Sequence, residues 1–488
     1  MKRRFAHNRH KKNIQGLSLM KISTLALSIT AAVLAQHACA DDFGLGSLGT
    51  GNGHSGFVED SHASVSSRTM YYSADNRSGT NNDLREAATA LRFDYKSGFT
   101  QGTLGVGFDV MAFGALRLDG GDGHAAGPGL AGNGNSFFPT KNNGTEPADA
   151  FGRAAGNVKF RISQTELHVG GGLAPVLPIL VANDSRVAPQ TFDGGVLTSN
   201  DIPNVTFTGG ELNRAEGRAS SNSTGLSVAG GQRDSDSFKF GGVDYKPFGS
   251  SDNTLTKNLT LQYYYAQLQD FYKQNYVGLV HVLPLGNDQS FKTDLRYFDS
   301  TSDGKNGSSG YAFNNNGGYA RHAGEVDNKT YSAAFTYQLG GSSLMLGHIG
   351  VGDDGGFVWV NQGSLADPHA QGAGGSDFYL FTDAVVGQFS RAGEQVNFGQ
   401  YAYDFKAYVP GLKASVAYLD GKDIKSNVAG GPDQKENEAD FRLDYVVQAG
   451  PLKGFGTTLR TGTYHGKNTG TADQDQTRLI FNYTYAIF

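Results

Sequence analysis

Cysteine is almost missing from this chain: the single Cys39 lies at the end of a forty-residue leader, so everything after it is thiol-free. That excludes disulfide staples and thiolate-bound metals, and a protein of 488 residues must then be held by a large core or by closure of a sheet. Apolar runs are scarce too. Beyond residues 22–34 none approaches the roughly 18 residues of a spanning helix. Helix-favouring runs of Ala, Leu, Glu and Lys are few, and tryptophan occurs once against 69 Gly, 31 Phe and 23 Tyr. A basic excess is also lacking. Residues 1–40 carry 7 of the 41 Lys and Arg and no acid, leaving 34 basic against 46 acidic side chains, net −12. An exported, acidic chain is no candidate for a nucleic-acid partner.

Motifs for chemistry are absent as well. None of the nine histidines beyond the leader forms a helical i, i+4 pair with an intervening acid, and no GxSxG marks a nucleophile. Gly44, Gly46 and Gly49 have GxGxxG spacing, but no strand precedes and no helix follows them, so the dinucleotide reading fails. No catalytic residue, metal ligand or cofactor is expected, and an outer-membrane hydrolase is the weakest alternative.

What is present begins with a targeting segment. Residues 1–40 combine basic residues from Lys2 to Lys21, the apolar run and the small-residue end Ala38, Cys39, Ala40, which reads as a signal peptide cleaved after Ala40. Met20 is an alternative start, because residues 20–40 hold all those parts. Gln36 and His37 break the aliphatic run that lipidation of Cys39 would need. Residues 41–57 form a glycine-rich lead, and residues 41–488 read as one domain.

From residue 61 onward, segments of about ten residues alternate in polarity and are separated by turn-like clusters. The stretch 151–191 shows the pattern best: Val158, Phe160 and Ile162 oppose Arg153, Asn157, Lys159, Arg161 and Ser163. That is period two, a strand with one basic wet face and one apolar face. Leu91, Phe93 and Tyr95 likewise oppose Arg92, Asp94 and Lys96. Tight turns at 97–101, 340–341 and 410–411 alternate with long polar loops at 116–150, 301–327 and 352–377. About 18 such segments, with low overall hydropathy, predict an all-β transmembrane antiparallel barrel with short periplasmic turns and long extracellular loops. The final row Leu479, Phe481, Tyr483, Tyr485, Ile487 is one residue out of phase with the terminal Phe488.

The chain also resembles the OprD-type substrate-specific porins, the outer-membrane carboxylate channels. The matching strings are GFVEDS at Gly56, SGFTQGTLGVGFD at Ser97, RAAGNVKFRIS at Arg153, SRVAPQT at Ser185, GKDI at Gly421 and YVVQAGP at Tyr445, in order over nearly all of the mature chain. The resemblance implies 18 strands, a constriction made by inward loops and diffusion of small carboxylates along inward arginines. At late-strand positions where family members carry ladder arginines, this chain has Gln400, Ala417 and Thr458, with Arg460 retained. That thinning makes neutral or zwitterionic permeants more plausible.

By parity the polar rows carry Arg68, Arg92, Lys96, Arg153, Lys159, Arg161, Lys239, Lys292, Arg296, Lys406, Lys413, Arg442 and Arg460. A cation on the lipid face costs about 2–4 kcal/mol near midplane, so these should face the lumen or the rim. Inward cations attract anions, and a guanidinium offers a carboxylate a planar fork. The expected substrate pathway is Arg68, Arg153, Lys159, Arg161, Lys413, Arg442 and Arg460. The competing role is bracing against Asp94, Asp109, Asp294, Asp404, Asp440 and Asp444, favoured for Arg442 between Asp440 and Asp444.

In the loop after residue 170, the prolines and Val176, Leu177, Ile179, Leu180 and Val181 suit packing on an inner wall, with Asp184 and Arg186 at the constriction. Arg186 either faces the opening or pairs with Asp184. The expected function is passive diffusion of small carboxylates (aromatic acids, small organic acids or amino acids) across the bacterial outer membrane, by a monomer or loose trimer in contact with lipid. A plugged barrel acting as a surface adhesin is the alternative.

Overall fold

The computed structural model describes residues 56–79, 83–120, 137–141, 146–361 and 375–488. The leader, the GxGxxG glycines and most of the glycine-rich lead lie outside the described residues.

Eighteen long antiparallel strands follow one another around a closed sheet. They are β1 (His62–Asn76), β2 (Leu84–Lys96), β3 (Gly105–Asp119), β4 (Ala150–Ile162), β5 (Thr165–Leu173) and β6 (Thr191–Ser199). Next come β7 (Val205–Glu216), β8 (Phe238–Tyr245), β9 (Leu259–Leu268), β10 (Tyr272–Gly286), β11 (Gln289–Ser302) and β12 (Asp327–Leu339). The last are β13 (Ser342–Val351), β14 (Gln395–Asp404), β15 (Leu412–Ile424), β16 (Gln434–Val446), β17 (Gly456–Lys467) and β18 (Gln474–Ala486). β18 returns to pair with β1 from Ser64↔Ala486 to Asn76↔Gln474. Closure leaves every strand two partners, the only way a sheet can satisfy its backbone groups in lipid.

One end of the barrel has short turns, as at 163–164, 287–288 and 340–341, and the other has the long connections 120–149, 303–326 and 352–394. Along most strands one side is apolar and exposed: Leu91 and Phe93 on β2, Phe108 and Val110 on β3, Val416 and Tyr418 on β15. The alternate residues Arg92, Met111 and Leu419 are buried. On β18, Ile480 and Asn482 are buried while Tyr485 is exposed, so the terminal aromatic row faces out. Phe488 lies past the strand, its carbonyl accepting the Ala63 N–H at 3.2 Å.

Of the lysines expected to face the lumen or the rim, Lys239 is placed differently. Lys239 is exposed beside Glu211, while its neighbours Phe238 and Phe240 are buried against the loops inside. Where loops fill the lumen, the apolar row turns inward and the polar row outward, so parity alone reverses the assignment. Lys406 sits in the turn between β14 and β15, not on a strand.

Candidate functional site

Two loops from the long-connection end fold into the lumen and meet there. The first, residues 174–190, carries a small hairpin, Val176–Leu177 against Leu180–Val181. Ile179, Leu180 and Val181 are buried, and Val187 and Ala188 pack on Met70, Tyr72, Ala88 and Phe113 of the wall. Proline and aliphatic side chains therefore do here what the sequence pattern expected of an inward loop, although Val176 itself is exposed.

Arginines from the wall hold this loop. Arg68 on β1 grips Asp184 through two nitrogens, at 2.8 and 3.1 Å, and donates to the Arg186 carbonyl at 2.7 Å. Both Arg68 and Asp184 are about 2% exposed, so the pair is shielded and fixed. Arg153 on β4 donates to the Pro189 carbonyl and to the Gly217 carbonyl at 2.7 Å, with Glu216 3.4 Å away. Arg186 donates to its neighbour Ser185 and lies over the Tyr72 ring at 5.0 Å. Asp184 is thus taken by Arg68.

The second loop, between β13 and β14, is tied to the first. Asp377 forms a β-bridge with Val181, and its carboxylate accepts from the Asn183 amide at 2.5 Å. Farther on, β16 presents carboxylates to the loop's amides: Glu438 accepts from Val386 at 2.7 Å and Gly387 at 2.6 Å, and Asp440 from Val385 at 3.3 Å. Arg296 on β11 donates to the Tyr379 carbonyl at 2.8 Å and lies 3.9 and 4.0 Å over the Tyr379 and Phe381 rings. Arg478 on β18 donates to the Val385 carbonyl.

Between the loops and the wall of β16–β18, charges of both signs converge. Register places Arg442, Arg460 and Arg478 side by side on three consecutive strands, followed by Tyr72 on β1. Adjacent strands lie about 4.8 Å apart, so three guanidiniums form one lateral row. Arg218, from the loop after β7, is within electrostatic reach of Arg478, Asp377 and Asp383. Burial pushes the Asp377 carboxyl well above the ordinary carboxylate range, helped by the charge of Asp383 and opposed by Arg218 and Arg186. Burial also raises Asp383, against the pull of Arg460, Arg478 and Arg218. The constriction is therefore of mixed charge.

Of the other expected residues, Lys159, Arg161 and Lys413 lie apart from this gap. Lys159 pairs with Asp109 at 2.7 Å, and Arg161 lies over the Phe99 ring at 4.2 Å, both on the inner face of β4 toward the short-turn end. Lys413 is at that same rim, exposed, 3.9 Å from Asp404. Arg442 forks onto Asp444 at 2.7 and 2.8 Å. Arg92–Asp94 and Arg296–Asp294 repeat that spacing, so bracing here runs along a strand, i to i+2, more than across strands. Sequence reasoning passed over Arg478, which parity with Ile480 and Asn482 could have found. It also passed over Arg218, Asp377 and Asp383, which sit in loops without periodicity.

Comparison with known proteins adds the context. A family model described as outer membrane porin, OprD family, matches residues 55–487. The chain is 31% identical to Porin D of Pseudomonas aeruginosa, covering 96% of this chain and 100% of that one. It is 32% identical to Porin-like protein GalP of Pseudomonas putida, covering 88% and 93%. Among solved structures, OccK8 (OprE) of Pseudomonas aeruginosa superposes with a TM-score of 0.76 at 38% identity, covering 89% of this chain and 100% of that one. OccK2 (OpdF) of the same organism, solved in complex with glucuronate, gives 0.71 at 29% identity, covering 89% and 100%.

Proposed function

Because the chain belongs to the OprD family of bacterial outer-membrane porins, we propose that it passes small carboxylates through the gap between its two inward loops, along the guanidinium row of β16–β18. Its relatives are channels, not enzymes, and the barrel spans the outer membrane. The carrying observation is the adjacency of Arg442, Arg460 and Arg478. Three like charges in one row repel one another, and the nearby carboxylates only partly offset that. A permeant carboxylate entering the row relieves the repulsion and receives planar, bidentate donors. The low-dielectric walls focus the field.

Within this reading the early arginines have a different task. Arg68 and Arg153 shape the opening by fixing loop 174–190, Arg161 and Lys159 supply a basic patch below it, and Lys413 acts at the rim. A neighbouring channel's glucuronate complex is consistent with carboxylates as the class. Asp377 and Asp383 support a second reading, in which a zwitterion offers its ammonium to the loop and its carboxylate to the row. Liposome uptake of matched acids, amino acids and neutral analogues tests both: acids entering faster than neutral analogues supports the first, and amino acids entering fastest supports the second. No current at all in planar bilayers would favour a plugged barrel and overturn the channel reading.

A further inference from the structure

On the outer surface of the barrel, the lipid-facing rows of β15–β17 end in lysines on the long-connection side. Val416, Tyr418, Asp420 and Lys422 share the outward face of β15, because Leu419 and Gly421 between them are buried. On β16 the buried Glu436 and Glu438 set Lys435 and Asn437 outward, and on β17 the buried Tyr464 sets His465 and Lys467 outward. Lys435 stands directly opposite Lys467, and Lys422 and Lys435 both adjoin the Gly421–Glu436 pair on its loop side. All three lysines are exposed. With neighbouring strands about 4.8 Å apart, their backbones line one edge of the barrel within about 10 Å.

Height places this row at the membrane surface. Lys435 is ten positions from Tyr445, the exposed outward aromatic at the short-turn end of β16. At about 3.3 Å per residue and a tilt of about 40°, that run rises about 25 Å, the height of the apolar band. The lysines therefore emerge among the headgroups of the outer leaflet. Other outward cations at this end have acids beside them: Arg77 meets Asp475 at 3.1 Å, Arg85 meets Asp75 at 3.6 Å and Lys273 meets Asp303 at 2.7 Å. Among the described residues, the side chains of Lys422, Lys435 and Lys467 make no hydrogen bond or ion pair, with Asp420 or any other group. Like charges directly opposite on a sheet repel, and a polyanion lying across them offsets that repulsion.

We propose that this edge docks the phosphorylated saccharide headgroup of an outer-leaflet glycolipid, with its phosphates on Lys422, Lys435 and Lys467. One tier nearer the bilayer centre, Asn437 stands opposite His465, whose Nδ1 lies 3.3 Å from Asp473 Oδ2. The Asn437 amide and His465 Nε2 then serve the sugar hydroxyls. The acyl chains continue over Tyr418 and Phe441, both exposed. A zwitterionic phospholipid suits the row less well, because its own ammonium cancels its phosphate. A second copy of this chain suits it less well too, since a two-fold axis at this edge would set lysines against lysines. The site lies outside the lumen and does not depend on which permeant crosses it.

The test titrates the detergent-solubilised full chain with diphosphorylated lipid A and with its dephosphorylated form, counting bound lipid by native mass spectrometry. The diphosphorylated lipid should bind more tightly. Combining Lys422→Gln, Lys435→Gln and Lys467→Gln should weaken it about a hundredfold, near fivefold per lysine, to the level of the dephosphorylated form. Lys453→Gln, in the turn at the opposite end of the barrel, should leave the affinity unchanged, and excess inorganic phosphate should not displace the lipid. If the triple variant fails to fold, Lys467→Gln alone should still weaken binding about fivefold. Equal affinity for the two lipids, unchanged binding in folded variants, an equal loss from Lys453→Gln, or full displacement by inorganic phosphate overturns the site. A dimer that forms without lipid and is lost in the triple variant overturns it in favour of a second copy.

Discussion

The two inward loops do the same job with opposite chemistry. Loop 174–190 offers the Arg186 and Pro189 carbonyls and the Asp184 carboxylate to the wall, and the wall answers with Arg68 and Arg153. The end of the second loop offers three amides, and the wall answers with Glu438 and Asp440 on β16. Arginines from β11 and β18 reach its carbonyls as well. The difference teaches that an inward charge in this barrel cannot be assigned to transport from its sign or its strand. A cation whose donors are all used on loop backbone and carboxylate is a fastener, and only donors left at the gap can meet a permeant.

Breaking each fastener sharpens the contrast. Arg68→Ala leaves the buried Asp184 carboxylate and the Arg186 carbonyl without their donor, and losing one partner of a buried pair costs about 3–5 kcal/mol. The expected result is a lower thermal unfolding midpoint and noisier channels, read by calorimetry and single-channel recording. Glu438→Ala strands two amides at about 1–3 kcal/mol each, but it also removes a buried carboxylate crowded by the like charge of Asp440, which offsets much of that loss. It should appear as flicker between conductance levels with little change in unfolding. If Glu438→Ala unfolded the barrel more than Arg68→Ala, the ranking of the two attachments would be wrong.

A pH titration separates the loops further. Asp377 and Asp383 are held above the ordinary carboxylate range by burial, so they take up protons before surface carboxylates do as pH falls. The gap then loses negative charge while its arginines stay charged, and anion preference should rise on mild acidification, with Asp383→Asn weakening that rise. Because the folded state binds the extra protons, these two groups also make stability fall as pH rises through their raised values. A flat selectivity profile from neutral to mildly acidic pH counts against their place at the gap. The smallest contrast is between two outlying cations: Arg161→Ala should shift ion preference more than Lys413→Ala, since Lys413 is exposed at the rim. Equal shifts, measured as reversal potentials, would mean that charge acts diffusely.

Much of the fold was legible because strand parity is a local signal. Leu91 against Arg92, or Val416 against the inward row, reads correctly from adjacent residues alone. The rule failed at Lys239, where Phe238 and Phe240 pack inward on loops that come from distant sequence. The constriction loop announced itself through its prolines and aliphatics, yet the identity of Asp184's partner depended on β1, more than a hundred residues earlier. Arg478 lay in a strand whose phase was already read and needed only the same parity. Arg218, Asp377 and Asp383 carry no such period, and their meeting is purely a product of loop placement.

On the proposed reading the guanidinium row of β16–β18, and not the basic residues as a whole, sets ion preference. The direct measurement is the reversal potential in a salt gradient for the wild type and for Arg460→Gln, whose side chain lies between Arg442 and Arg478 in register. The account predicts anion selectivity in the wild type and a marked loss of it in the variant. Equal permeability to both ions in the wild type, or no shift in Arg460→Gln, would contradict it.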